Sequence, residues 1–227
     1  MFPIGDEEVR GAGPPWVTWG LIAINSLVFL YEASLSQQAL QDFIFRYGLV
    51  PANITQGVGL GTILTSMFLH GGWLHLIGNM LFLWVFGDNV EAIMGHVLYL
   101  GFYLLGGLAA EAAHMLFNLG SDIPSVGASG AIAAVLGAYI VMFPNSQVRV
   151  LVFLGYRAGV TRVTALVFLG IWAITQLFNG IASLGVPTSQ TSGVAVWAHV
   201  GGFAFGLLAG FLFRGRVSQV RYETRGT

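Results

Sequence analysis

A serine lies between two glycines in Gly127-Ala128-Ser129-Gly130, inside one apolar run. A histidine follows a small residue in Ala198-His199-Val200-Gly201-Gly202, inside another. A neutral imidazole that accepts a serine proton while the hydroxyl attacks a carbonyl is the core of nucleophilic acyl transfer. The oxyanion of that reaction needs donors. The Ser129 backbone N–H near a helix start is one, favoured by the helix dipole. The Asn79 amide is a second. His75, four residues earlier on the same helix face, is a third. No acidic residue sits near His199 in sequence, and a buried carboxylate is costly within a bilayer, so the pattern predicts a dyad rather than a triad. The bland alternatives are a serine bonded to a carbonyl one turn back, an asparagine bridging helices, and glycines that only pack.

These residues need positioning by elements that cross a membrane. The chain has 227 residues, 56% hydrophobic and 8% charged, against about 25% charged in soluble domains. A spanning helix takes about 20 apolar residues. The sequence predicts six, at 16–34, 73–88, 96–116, 125–143, 163–183 and 194–213, and so an all-α membrane protein. The apolar stretch 148–156 is too short to cross; it is expected to lie at the interface or to lengthen its neighbour. Residues 35–72, the connection between the first two spans, should form short helices lying partly in the outer leaflet.

All nine basic residues are arginines. With both termini in the cytoplasm, Arg10, Arg149, Arg157, Arg162, Arg214, Arg216, Arg221 and Arg225 lie inside and only Arg46 outside, as the positive-inside rule prefers. The expected organisation is a short cytoplasmic segment (1–15), a six-span catalytic domain (16–213) and a short cytoplasmic tail (214–227). Asp6, Glu7 and Glu8 before the first span argue against a removable signal peptide.

In that topology Ser129, His199 and Asn79 fall in one layer, roughly 6 to 10 Å below the outer boundary at 1.5 Å per residue. Ala198, Gly202, Gly206 and Gly210 line one face of the last span; Ser129, Ala133 and Gly137 line one face of the fourth. Small residues at this spacing let backbones approach closely in lipid. Packing the two faces together brings Ser129 toward His199.

Other chemistries fit less well. There is no cysteine, so neither thiol chemistry nor disulfides. The net charge of −1 leaves no nucleic-acid footprint. His70-Gly71-Gly72-Trp73-Leu74-His75 lacks the His-Glu-x-x-His of zinc proteases. Asp88 is the only aspartate available for an aspartyl intramembrane protease. Glu111 and His114 read as interfacial, and Glu91 as a tie for its loop. A transporter or channel would carry paired ionisable groups at mid-membrane, and none are evident.

Three blocks in order resemble the rhomboid family of intramembrane serine proteases: Thr65-Ser66-Met67-Phe68-Leu69-His70-Gly71-Gly72-Trp73-Leu74-His75-Leu76-Ile77-Gly78-Asn79, Gly127-Ala128-Ser129-Gly130, and Ala198-His199-Val200-Gly201-Gly202. The resemblance covers about 65–210. It implies a six-transmembrane-helix bundle with a large outer loop between helices 1 and 2. It assigns the nucleophile to Ser129, the base to His199, the oxyanion-hole side chains to His75 and Asn79, and the upstream motif histidine to His70. It implies no metal or organic cofactor. The substrates it implies are single-span membrane proteins in a lipid bilayer, cut near the outer end of the span. The sequence shows no transit-peptide composition, which makes a bacterial cell (inner) membrane the expected setting. The alternative within the resemblance is a non-catalytic relative that binds client transmembrane helices. Many bacterial members carry Trp-Arg where this chain has Gly61-Thr62. Some place an aromatic one turn after the serine, stacking on the histidine, where this chain has Ala133. Trp197 and Tyr139 are then the candidates for orienting His199.

Overall fold

The computed structural model describes residues 2–9, 13–154, 157–184, 195–217 and 222–224. Arg10, Arg221, Arg225, residue 156 and the predicted start of the last span at 194 lie outside the described residues. The helices are α1 (Trp16–Ser34), α2 (Gln37–Tyr47), α3 (Pro51–Thr55), α4 (Thr62–Thr65), α5 (Trp73–Met94), α6 (His96–Asn118), α7 (Ser129–Met142), α8 (Ala165–Ser183) and α9 (Val196–Val217). Five of them (α1, α5, α6, α8 and α9) are long and apolar enough to cross a membrane; α7 is apolar but shorter.

At 14 residues, α7 is about 21 Å long, less than the ~30 Å hydrocarbon core. The sequence reading began this helix at residue 125, but the preceding backbone is not helical. Gly127 adopts φ +132°, a conformation closed to most side chains. Its N–H donates to the Ser66 carbonyl at 2.9 Å. Irregular backbone at such a depth is tolerated where protein covers it, and Ser125, Gly127 and Ala128 are buried.

Nearly every residue of α7 is buried, which makes it the centre of the bundle. Its small-residue face meets α9 as expected. A Cβ on Gly202 would collide with the Gly130 carbonyl, one on Gly206 with the Ala134 carbonyl, and one on Gly137 with the Phe203 carbonyl. On the other side α6 approaches through Gly106 against Ala134 and through Ala110 against Gly130. Phe86 of α5 packs edge-on to Tyr139 at 4.9 Å, and Phe82 and Phe86 stack on Phe168 of α8.

The chain is mostly helical rather than all-α. The stretch expected at the interface is β3 (Gln147–Leu154), paired antiparallel with β4 (Arg157–Thr164). Alternating valines explain it: Val148 and Val150 face the core, fully buried, a period-2 pattern natural to a strand. β1 (Phe2–Gly5) adds to β3 as the third strand, and β2 (Glu7–Val9) pairs with β5 (Tyr222–Thr224). The segment before α1, the α7–α8 connection and the chain beyond α9 therefore share one end of the bundle.

Two buried carboxylates fasten that end. Asp6 accepts from Asn89 Nδ2 at 2.8 Å and from the Tyr139 hydroxyl, while Asn89 Oδ1 accepts the Val9 N–H. Glu91 accepts the N–H groups of Val17 and Thr18 and the Thr18 hydroxyl, at 2.7–2.9 Å. It thereby satisfies donors that the first turn of α1 cannot pair internally, and His96 Nδ1 lies 2.6 Å from Oε1, the oxygen that also accepts the Val17 N–H. The expectation that Glu91 ties its own loop is met in part; its larger role is to cap α1.

The 35–72 connection is built of short helices, as expected. It is anchored on the chain before α7. Leu49 and Ser125 exchange both backbone hydrogen bonds, at 3.0 and 2.7 Å, and the Thr65 hydroxyl donates to the Tyr47 carbonyl.

Candidate active site

Ser129 is the first residue of α7, and no side chain caps the helix start. The first N–H groups of a helix have no intrahelical acceptor and carry the positive end of its dipole. The serine is only partly buried, so its hydroxyl reaches the space in front of that helix end.

Gly127 marks the space. A Cβ there would stand 2.8–2.9 Å from Cε1 and Nε2 of His75 and 3.6 Å from Ser129 Oγ. The imidazole of His75 and the Ser129 hydroxyl thus flank the same glycine, whose missing side chain keeps room between them. One turn along α5, Asn79 is buried, and its Nδ2 has no hydrogen-bond partner among the described residues. An unpaired buried amide donor costs about 1–3 kcal/mol in a folded chain. Such a donor is the expected resting state of a group that binds charge only during a reaction.

His199 reaches the same region from α9. A Cβ on Gly130 would stand 3.6 Å from Ala198 Cβ, so Ser129 and His199 adjoin the two residues at which α7 and α9 cross. Among the described residues no hydrogen bond links the two side chains. His199 Nδ1 is instead 2.8 Å from Gln176 Oε1 of α8, and the Trp172 ring lies 5.8 Å from the imidazole, tilted by 41°. Both orienting candidates from the sequence are occupied elsewhere. Trp197 stacks on Phe117 at 3.7 Å, and Tyr139 serves the Asp6 network. Gln176 was missed because it lies 23 residues before His199 on another span, where no spacing rule connects them.

His70 packs edge-on to His75 with ring centroids 5.2 Å apart, and it is 2% exposed. Its backbone N–H donates to Glu32 of α1 at 3.2 Å, and neither ring nitrogen has a hydrogen-bond partner among the described residues. Burial, reinforced by the neighbouring His75, pulls the His70 pKa down to about 4. His70 thus packs against His75, the ring that flanks Gly127.

Glu111 and His114 correct the sequence reading. Both are buried rather than interfacial, at 3% and 7% exposure, and Glu111 Oε2 has no partner among the described residues. They continue the inward face of α6, four and seven residues after Gly107, which lies against Met67 and Ala131. His75 and His114 both lie within electrostatic reach of His199. Among the described residues no cluster of three or more His, Cys, Asp or Glu side chains could hold a metal ion.

Comparison with known proteins gives this chain its relatives. The family model described as the Rhomboid domain matches residues 59–216. The chain is 28% identical over 224 residues to the rhomboid protease GluP of Bacillus subtilis, covering 93% of this chain and 43% of that protein. It is 29% identical over 174 residues to the mitochondrial presenilin-associated rhomboid-like protein A of Danio rerio, covering 73% of this chain and 44% of that protein. It is 33% identical over 165 residues to RHOMBOID-like protein 4 of Arabidopsis thaliana, covering 73% and 37%. The chain spans less than half the length of these relatives.

Proposed function

The chain belongs to the rhomboid family, and on that premise we propose that it is an intramembrane serine endopeptidase with a Ser129–His199 dyad. The observation that carries this reading is the partly buried Ser129 at the uncapped N-terminus of α7, its Oγ flanking the Gly127 space together with His75.

In the proposed reaction Ser129 Oγ attacks a peptide carbonyl carbon and its proton passes to His199. The carbonyl oxygen becomes an oxyanion, met by the Ser129 N–H, the Asn79 amide and His75. Collapse breaks the C–N bond, and the departing amine takes the proton from His199. Water, activated by the same imidazole, then hydrolyses the ester and frees Ser129. His70 supports His75.

The proposed topology has six crossings, α7 being the short one, with 1–15 and 214–227 in the cytoplasm, 16–213 as the catalytic domain and the 35–72 connection outside. The shared end of β1, β3 and β5 supports an even number of crossings. The proposed setting is the cell (inner) membrane. Substrates are single-span proteins cut near the outer end of the span. A helix hides its carbonyls, so residues that weaken the substrate helix favour cleavage.

The test is cleavage of a single-span reporter in liposomes by wild type, Ser129→Ala and His199→Ala. Each substitution is expected to lower the rate by roughly 10³-fold or more. Cleavage by either variant at the wild-type rate overturns the dyad. Tight reporter binding without cleavage by wild type points instead to a non-catalytic client-binding relative.

A further inference from the structure

A histidine acts as base through one nitrogen, so something must fix which nitrogen carries the proton. The oxygen of a primary amide only accepts hydrogen bonds. Gln176 Oε1 at 2.8 Å from His199 Nδ1 therefore requires the proton on Nδ1 and leaves Nε2 as the acceptor. The Trp172 ring lies beside the same imidazole and limits its rotation. The acceptor is neutral, so the arrangement avoids the cost of an ionised carboxylate in the bilayer.

We propose that Gln176 is the positioning residue for His199: its amide oxygen selects the Nδ1–H tautomer and holds the ring for proton transfer from Ser129. It acts through His199 rather than on the substrate, and it takes the orienting place for which Trp197 and Tyr139 were candidates. The inference rests on the dyad reading above. Among the described residues, the ionisable side chains within electrostatic reach of His199 are His75 of α5 and His114 of α6.

The experiment compares wild type, Gln176→Leu, Gln176→Glu and Ser129→Ala on the single-span reporter. Gln176→Leu keeps the bulk and removes the acceptor; kcat is expected to fall about 10- to 100-fold with KM within twofold, the scale of losing the hydrogen-bond partner that fixes the tautomer of a metal-bound histidine. Gln176→Glu restores an acceptor oxygen and is expected to recover kcat to within about fivefold of wild type. A wild-type kcat in Gln176→Leu overturns the proposal, and so does a change confined to KM. Nitrogen-15 NMR of the wild-type imidazole gives an answer independent of variant folding: a proton on Nδ1 is expected, and one on Nε2 alone rules the role out. If Ser129→Ala still cleaves, the dyad itself falls and this proposal with it. If Ser129→Ala is inactive and Gln176→Leu is not impaired, only the proposal falls.

Discussion

Gly202 of α9 lies directly against the carbonyl of Gly130 in α7, with no room for a methyl group between them. Gly130 follows Ser129 and Gly202 lies three residues beyond His199, so this contact sets how near the two helices bring their chemistry. Gly202→Leu is expected to force α9 away, lower stability by about 1–3 kcal/mol and abolish cleavage. Gly215→Ala, where a Cβ meets nothing within 4 Å, serves as the matched control. Thermal melts in detergent and reporter cleavage read the two effects. Wild-type activity in Gly202→Leu would refute the close crossing.

Gly127 is constrained twice, by φ +132° and by the His75 ring. Gly127→Ala is expected to cost about 1–3 kcal/mol from backbone strain and to push His75 out of place, cutting fluorophosphonate labelling of Ser129 by tenfold or more. Gly57→Ala carries the strain alone, since φ is +74° there and the space is open. Equal labelling of the two variants would mean that the His75 position does not matter.

Asn79 Nδ2 has no hydrogen-bond partner among the described residues, so truncation removes little that the resting fold relies on. Asn79→Ala is expected to lower kcat about 100- to 1,000-fold, the usual loss for one oxyanion donor, with a melting temperature close to wild type. A large drop in melting temperature with unchanged kcat would recast Asn79 as a helix bridge.

His70 gives a pH signature. Its folded pKa of about 4 lies below the ordinary value of 6.5, so between these values the unfolded chain binds the extra proton. Stability from this group is complete above about pH 6.5 and is lost as pH falls toward 4. His70→Leu is expected to melt with a smaller drop between pH 7 and pH 5 than wild type. An identical drop in both proteins would show that other groups carry the acid sensitivity.

Much of this arrangement was legible in the sequence because it follows helix periodicity. The four-residue spacing of small residues placed α7 against α9, the depth of Asn79, Ser129 and His199 along their spans put them in one layer, and the four-residue step from His75 to Asn79 put those two on one face. What escaped lacked a local period or depended on partners far along the chain. Gln176 has no sequence relation to His199. Glu111 and His114 were placed by their distance from a helix end, although their spacing from Gly107 turns them inward. The strand β3 was read for hydrophobicity alone, while its alternating valines carried the shape.

Glu91 caps the first turn of α1, yet it lies 73 residues after Thr18 in the chain. During synthesis the first span therefore leaves the ribosome with its leading amides unpaired by protein. Only when the end of α5 has emerged does the carboxylate that completes α1 exist. Biogenesis thus has an order: the oldest helix is finished by a younger one, and a chain arrested before residue 91 holds α1 without its clasp.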